Sequence, residues 1–315
     1  MSTSRHPVVR SIISRLLQGL VVLFVLMTVT FFLIRALPGG PFTQEKAIPA
    51  HILEKIREHY GLDEKLHVQY LRNLKNLLQG DLAYSLRMEG RPVAEVIRQV
   101  FPVSLSLGLA AMGFAMTVGI PIGVIAAARR NTWLDHGSMA LAMVGICLPT
   151  LVVGPLLAWF FGVYLHILPA TGWPPVSPAG WILPAATLGL GYAAYLSRLT
   201  RAGMIEVLNQ DFIRTARAKG LKEKTVLVRH GLRGGLIPVV AYLGPAFAGI
   251  VSGSIIIESI FMVPGMGLQL VKAIESRDAP MLQGLVLLYG TLTVVANLAA
   301  DLLQIWLNPR LRSST

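Results

Sequence analysis

The sequence predicts an all-α, polytopic membrane protein, and three observations carry that prediction. Only 14% of its 315 residues are charged while 54% are hydrophobic; an ordinary soluble domain is about 25% charged, and mean hydropathy here is +0.61. The apolar residues are gathered into runs, and about 20 such residues cross a bilayer as a helix. The net charge of +12 is divided among short segments between those runs. Such a distribution sets membrane orientation and is unlike a single patch that grips nucleic acid.

Six runs predict spans, at roughly 16–37, 103–128, 137–165, 181–200, 236–257 and 281–305. As helices they satisfy every backbone group internally, which lipid requires. The first resembles a signal peptide in its leading Arg5, Arg10 and Arg15. Its apolar part is too long, however, and "RALPGGP" offers no small-residue cleavage site, so it reads as a retained helix. Pro121, Pro149, Pro155, Pro184 and Pro245 fall in or beside the runs and predict kinks that neighbouring helices make tolerable.

Orientation follows from Lys and Arg near the spans. The N-terminal tail carries three arginines and no acid, the loop after the second run has Arg129 and Arg130, 198–235 carries nine cations against three acids, and the C-terminal tail has Arg310 and Arg312. Segments 38–102 and 264–280 are nearly balanced, at nine against eight and two against two. With six spans the four basic segments share the cytoplasmic side, and both termini with them.

Small residues recur as "GIPIG" at 119–123, "GIVSG" at 249–253 and "GLGYAA" from 189. That spacing permits close helix approach, either within the bundle or against a partner permease. The single cysteine, Cys147, lies in an apolar run; it forms no intrachain disulfide, completes no metal spacing, and reads as a packing residue. His136 and His166 sit at run ends, and Trp133, Trp173, Trp181 and Trp306 stand where an interfacial belt forms.

Between the first two runs, "IPAHILEKIREHYG" and "HVQYLRNLKNLLQG" each read as an amphipathic helix stopped by a glycine, Gly61 and Gly80. Val68, Leu71, Leu74 and Leu78 form the predicted apolar stripe of the second. The two helices are either a cap on the bundle or a docking surface for an external partner.

The segment 198–235 is too long and too periodic for a loop that only sets topology. Met204, Ile205 and Leu208 share a face that Phe212 and Ala216 extend, Gly220 interrupts, and Val226, Leu227 and His230 begin a second stripe. Helix, glycine break, helix follows. It fits an interfacial helix on anionic lipid or a helix seated in the groove of a soluble partner.

These residues also carry a family resemblance. "RTARAKGLKEKTVLVRHGLRGGLIPVV" is similar to the cytoplasmic loop of binding-protein-dependent ABC permeases, in the dipeptide, oligopeptide and nickel branch. Arg214, Thr215 and Ala216 stand where the general signature has Glu-Ala-Ala, and Gly220 is its glycine; the distance to Pro238 is longer, as is usual in that branch. "LPGGPF", "QGDLAYSL", "IIIESIFMVPGMG" and "NPRLR" resemble further family stretches, so the likeness covers nearly the whole chain. "PFTQEKAIP" and "AYLGPAF" most resemble the B-type permease of oligopeptide importers.

The resemblance implies a type I ABC importer permease fold: six transmembrane helices and a cytoplasmic coupling helix between the fourth and fifth. Residues 1–102 would be the tail, first span and extracytoplasmic segment, and 103–315 the permease core with coupling loop 201–235. Arg214, Thr215, Ala216, Arg217, Ala218, Lys219, Gly220 and Leu221 would contact a separate ATPase, their cations pairing with its acids or with lipid phosphates. Implied partners are a homologous second permease, two ATPase subunits, an extracytoplasmic solute-binding protein and membrane lipid, with no nucleic acid. The chain has no GxxxxGK[ST] loop, so it would bind no cofactor itself, and ATP and Mg would belong to the partner subunits. The implied setting is the bacterial inner membrane and the implied cargo a peptide, most readily an oligopeptide, with dipeptide or nickel as alternatives.

Three ionisable groups lie near span ends, Arg35, Glu258 and Asp301. Such groups are candidates for function inside a membrane or reach water at an interface. Glu258, in the family-like "IESIF", is the candidate for a pathway or gating role. A stand-alone secondary transporter, the reading from another class, predicts mid-span charges and inverted repeats. The second and third runs carry no charge, and no repeat is legible.

Overall fold

The computed structural model describes residues 6–36, 54, 64–88, 90–174, 177 and 179–307. The predicted helix over 48–61, apart from residue 54, and the stretches "LPGGPF", "PFTQEKAIP" and "NPRLR" lie outside them, as do Arg310 and Arg312. Among the described residues there is no strand, only an isolated antiparallel bridge between Tyr84 and Pro92.

In chain order the helices are α1 (His6–Ala36), α2 (Leu66–Leu78), α3 (Val93–Ala128) and α4 (Trp133–Cys147). Then come α5 (Thr150–Tyr164), whose last two turns are π-helical, and α6 (Ile182–Leu208). Next are α7 (Asp211–Ala218), α8 (Glu223–Gly235), α9 (Ile237–Ile260), α10 (Met266–Glu275) and α11 (Ala279–Leu307). Three stretches are straight, long and apolar enough to span: Ile13–Ala36, Val93–Ala128 and Ala279–Leu302. Two bent pairs, α4 with α5 at 104° and α8 with α9 at 53°, raise the number to as many as five among the described residues. The third predicted run is therefore not one rod. Pro149, at φ −61° and ψ 135°, leaves the helix between α4 and α5, as a residue without a backbone N–H readily does.

The chain divides into two compact units. One comprises residues 1–16, 105–263 and 293–315. In it, Ala115, Ala193, Leu196 and Val239 make a buried cluster of α3, α6 and α9. A Cβ on Gly119 or Gly123 of α3 would collide with the carbonyl oxygens of Ala193 and Ser197, and one on Gly189 would meet Ala111 O at 2.6 Å. The "GIPIG" and "GLGYAA" glycines thus serve packing within the chain. Asp301 of α11 pairs with Arg15 of α1 at 3.0 Å. Cys147 is exposed, so it is not the packing residue its setting suggested. Leu141, Val144, Leu151, Leu156 and Val163 of α4 and α5 are likewise exposed, an outward apolar surface that suits lipid, where apolar side chains have no drive to turn inward.

The second unit comprises residues 17–104 and 264–292. Here α2 departs from its predicted face: Leu71 and Leu78 point outward, Leu78 being 81% exposed, while Gln69 and Asn73 are buried. The amides face inward because polar partners await them. Asn73 exchanges two hydrogen bonds with Gln283 of α11, at 3.2 and 2.8 Å, and Gln69 accepts from Arg35 of α1 at 3.2 Å. Tyr70 lies against Phe31 and Phe32 and shares a 2.8 Å hydrogen bond with Thr28. Arg35 also lies over the Phe31 ring, 3.5 Å from its centroid.

Candidate functional site

The basic segment begins as a continuation of α6, which keeps its helical hydrogen bonds to Leu208, past the predicted end of the fourth run. Asn209 and Gln210 turn the chain. Asp211 opens α7, its charge in the first turn facing the positive end of the helix dipole. After Ala218 and Lys219, Gly220 takes φ +74°, the left-handed conformation that ends helices and that glycine adopts without a Cβ penalty. Then α8 starts at Glu223. Ile213, Ala216 and Val226 are buried together with Leu208 against them, so α7 and α8 close on the end of α6. A Cβ on Gly234 would meet Val207 at 2.9 Å, and one on Gly235 would meet Met204 at 2.6 Å. These glycines hold α8 against α6. The whole is a short, packed unit of three helices.

The structure sorts the eight candidate residues. Ala216 turns inward. Arg214, Thr215, Arg217, Ala218, Lys219, Gly220 and Leu221 lie on the outside. Two of the cations are already engaged within the chain: Arg214 with Asp211 at 3.3 Å, and Arg217 with Glu223 at 3.2 and 2.7 Å. Of the three named cations only Lys219 has no carboxylate partner among the described residues. Arg217's hydrogen bonds hold the Glu223 carboxyl below its ordinary value of 4.5 against a smaller opposing effect of burial, and Glu223 raises the Arg217 guanidinium in return.

One expectation about this face is corrected. Phe212, placed by periodicity on the inner stripe, is 48% exposed, and Ile213 is buried instead. The turn at Asn209–Gln210 starts a new helix, so the count from Leu208 does not carry through it. Phe212, Leu221 and Val228 leave three large apolar side chains on the outer surface of this charged segment.

Glu258 lies elsewhere, near the other end of α9, about 30 Å from its start at 1.5 Å per residue. It does not reach water: it is fully buried and accepts a 2.8 Å hydrogen bond from Ser254 one turn earlier. Its carbonyl receives Val263 N–H at 2.8 Å, closing a turn around Met262 at φ +58°.

Two buried carboxylates escaped the sequence reading. Asp135, in the first turn of α4, takes Arg201 of α6 at 2.5 and 2.7 Å. Asp278 accepts from Ser85 Oγ, from Arg87 N–H at 3.4 Å and from Met281 N–H at 3.2 Å. The last bond makes Asp278 the cap of α11, and Asp followed by "AP" was a legible start signal.

Two family models match the chain: "Binding-protein-dependent transport system inner membrane component" over residues 119–313, and "Binding-prot-dependent transport system membrane comp, N-term" over residues 8–108. An oligopeptide transport system permease protein OppB from Haemophilus influenzae is 42% identical over 301 residues, 96% of this chain and 98% of the relative. The protein of that name from Escherichia coli K12 is 41% identical over the same shares. The dipeptide transport system permease protein DppB of Bacillus subtilis is 38% identical over 303 residues, again 96% and 98%. Among solved structures, an inward-facing form of the MetNI methionine ABC transporter superposes with TM-score 0.58 at 15% identity. It covers 68% of this chain and 97% of that one, a likeness of fold.

Proposed function

Because the chain belongs to the family of binding-protein-dependent transport system inner membrane components, we propose that it carries oligopeptides across the bacterial cytoplasmic membrane as one permease subunit of an ATP-driven importer. It is a transport component, not an enzyme, as its relatives are. The observation that carries the cargo is the 42% identity to an oligopeptide permease across nearly the full length of both chains. The dipeptide permease follows at 38% and keeps that cargo as the second reading.

The family implies ATPase and permease partners. We assign two ATPase subunits, which use the ATP and Mg, a homologous second permease and an extracytoplasmic solute-binding protein. Six spans, with α6 and with α9 taken without α8 added to the three long apolar helices and the bent pair α4–α5, and cytoplasmic termini complete the reading. Within it, residues 1–102 are read as the tail, first span and outer segment, and 103–315 as the permease core. The lever of α7 and α8 receives the ATPase, and the outward residues offered to it are Arg214, Thr215, Arg217, Ala218, Lys219, Gly220 and Leu221, with Phe212 beside them. Packing of Ile213, Ala216 and Val226 makes the lever stiff enough to transmit a displacement. Glu258 is read as a support of the α9 end near a gate, held by Ser254, not as a group that meets cargo in water.

The test is uptake of labelled peptides of two to five residues by the full transporter in liposomes. ATP-dependent uptake favouring the longer peptides supports the reading. Uptake of dipeptides alone moves it to the second, and uptake by this chain alone without ATP contradicts it.

A further inference from the structure

Asp135 is the least expected charge in the molecule. Its side chain is 1% exposed, at the head of a helix that becomes apolar after Ser138. A carboxylate is costly to bury unless fully bonded. Here both oxygens are met: Arg201 reaches each of them, at 2.5 and 2.7 Å, and Asn131 N–H adds a third bond at 2.9 Å from a turn at φ +62°. Arg201 stands on α6 just ahead of Gly203 and Met204, the residues against which Gly235 of α8 packs. Sixty-six residues of chain separate the two partners.

Between α3, α4 and α6 lies an apolar groove of about 400 Å³, lined among others by Leu134, Gly137, Ala194 and Ser197. The groove follows α4 from Trp133 to Gly145, and at Gly145 the two helices are close enough that a Cβ would meet Ala194 at 3.1 Å. To this packing the ion pair adds a bidentate charged bond between α4 and α6, next to the root of the lever.

We infer that Asp135 and Arg201 are positioning residues that make α4, and α5 beyond its bend, follow α6 when the lever is displaced. The inference rests on the reading of α7 as the ATPase contact. A two-pronged guanidinium grip fixes angle as well as distance, so α4 turns with α6 and does not slide past it. Without the grip, the lever still docks and ATP is still hydrolysed, but the motion reaching α4 is diluted in the groove.

The experiment uses the complete transporter in liposomes and reads peptide imported per ATP hydrolysed. For Asp135→Asn and for Arg201→Gln this ratio falls by about tenfold, the scale of a lost coupling free energy. Arg201→Lys keeps the charge without the fork and gives a smaller fall, and Asp135→Arg with Arg201→Asp recovers part of the ratio lost in either single variant. In separate preparations, Ala218→Cys in a Cys147→Ser background reports docking by crosslinking to the ATPase, with and without the Asp135 change. Crosslinking retained with a fallen ratio supports the inference. Crosslinking retained with a wild-type ratio in both Asp135→Asn and Arg201→Gln overturns it. Absence of crosslinking in the chain with native Asp135 and Arg201 overturns the docking reading beneath it. If Asp135→Asn does not assemble, Arg201→Lys decides, and a wild-type ratio there counts against the inference.

Discussion

Arg217, at the end of α7, is bound across the Gly220 bend to Glu223, at the start of α8, by two hydrogen bonds of 3.2 and 2.7 Å. The bend between the helices is therefore set by one left-handed glycine and one ion pair. Both lie in the basic segment between α6 and α9, and both are open to substitution without touching the buried cluster of Ile213, Ala216 and Val226.

Gly220 has nothing within 4 Å of the place a Cβ would take, so its requirement is backbone conformation alone, φ +74°. Gly220→Ala should cost roughly 1 kcal/mol, Gly220→Asn less and Gly220→Val more, following the penalties of the left-handed region. Thermal unfolding of the purified transporter checks the order. Equal stability for Asn and Val would show that the bend is not held as described.

The Glu223 carboxyl is held below 4.5 by Arg217. A depressed acid contributes stability above its unfolded value and loses it as pH falls through the folded one, so the pair's contribution fades below about pH 4.5. The side chains are 43% and 56% exposed, which limits the effect to a few tenths of a kcal/mol. Protease nicking of the 217–223 bend should rise on acidification in the native chain, and Glu223→Gln should already show the higher level at neutral pH.

Asp278 holds Ser85, the Arg87 amide and the first turn of α11. Asp278→Ala strands a buried hydroxyl and removes a helix cap, for a loss of about 1–3 kcal/mol. The loss should appear as a lowered melting temperature. Asp278→Asn, which keeps an acceptor, should recover much of it.

Gly123 packs where a Cβ would strike Ser197 O and Thr200 Cβ. Gly123→Ala therefore forces α3 from α6 and should destabilise by about 1–3 kcal/mol, as overpacking does. Gly113, with nothing within 4 Å, is the control, and Gly113→Ala should leave the melting temperature unchanged or raise it slightly.

Much of this was legible in the sequence because lipid imposes length and composition on a span. Ends of helices were legible where a glycine marks them, as at Gly80 and Gly220, whereas Pro149, read as a kink inside one span, ends one helix and starts another. Faces were less so. A stripe of leucines predicts burial only when water lies on the other side, and in α2 the amides of Gln69 and Asn73 had partners that outweighed Leu71 and Leu78. Phe212 was misplaced because periodicity cannot be counted across a turn. Asp135 was invisible for a different reason: an acid in the first turn of a helix is ordinary, and only the fold brings Arg201 to it.

The central claim is that the outer face of α7 meets the ATPase. The most direct measurement is site-specific crosslinking in the assembled transporter, from Thr215→Cys and Ala218→Cys on that face and Val228→Cys on the exposed side of α8, all with Cys147→Ser. The account predicts crosslinks to the ATPase from positions 215 and 218 that change yield when ATP is bound, and few from 228. Crosslinks from 228 alone, or none from 215 and 218 in a transporter that still hydrolyses ATP, would contradict it.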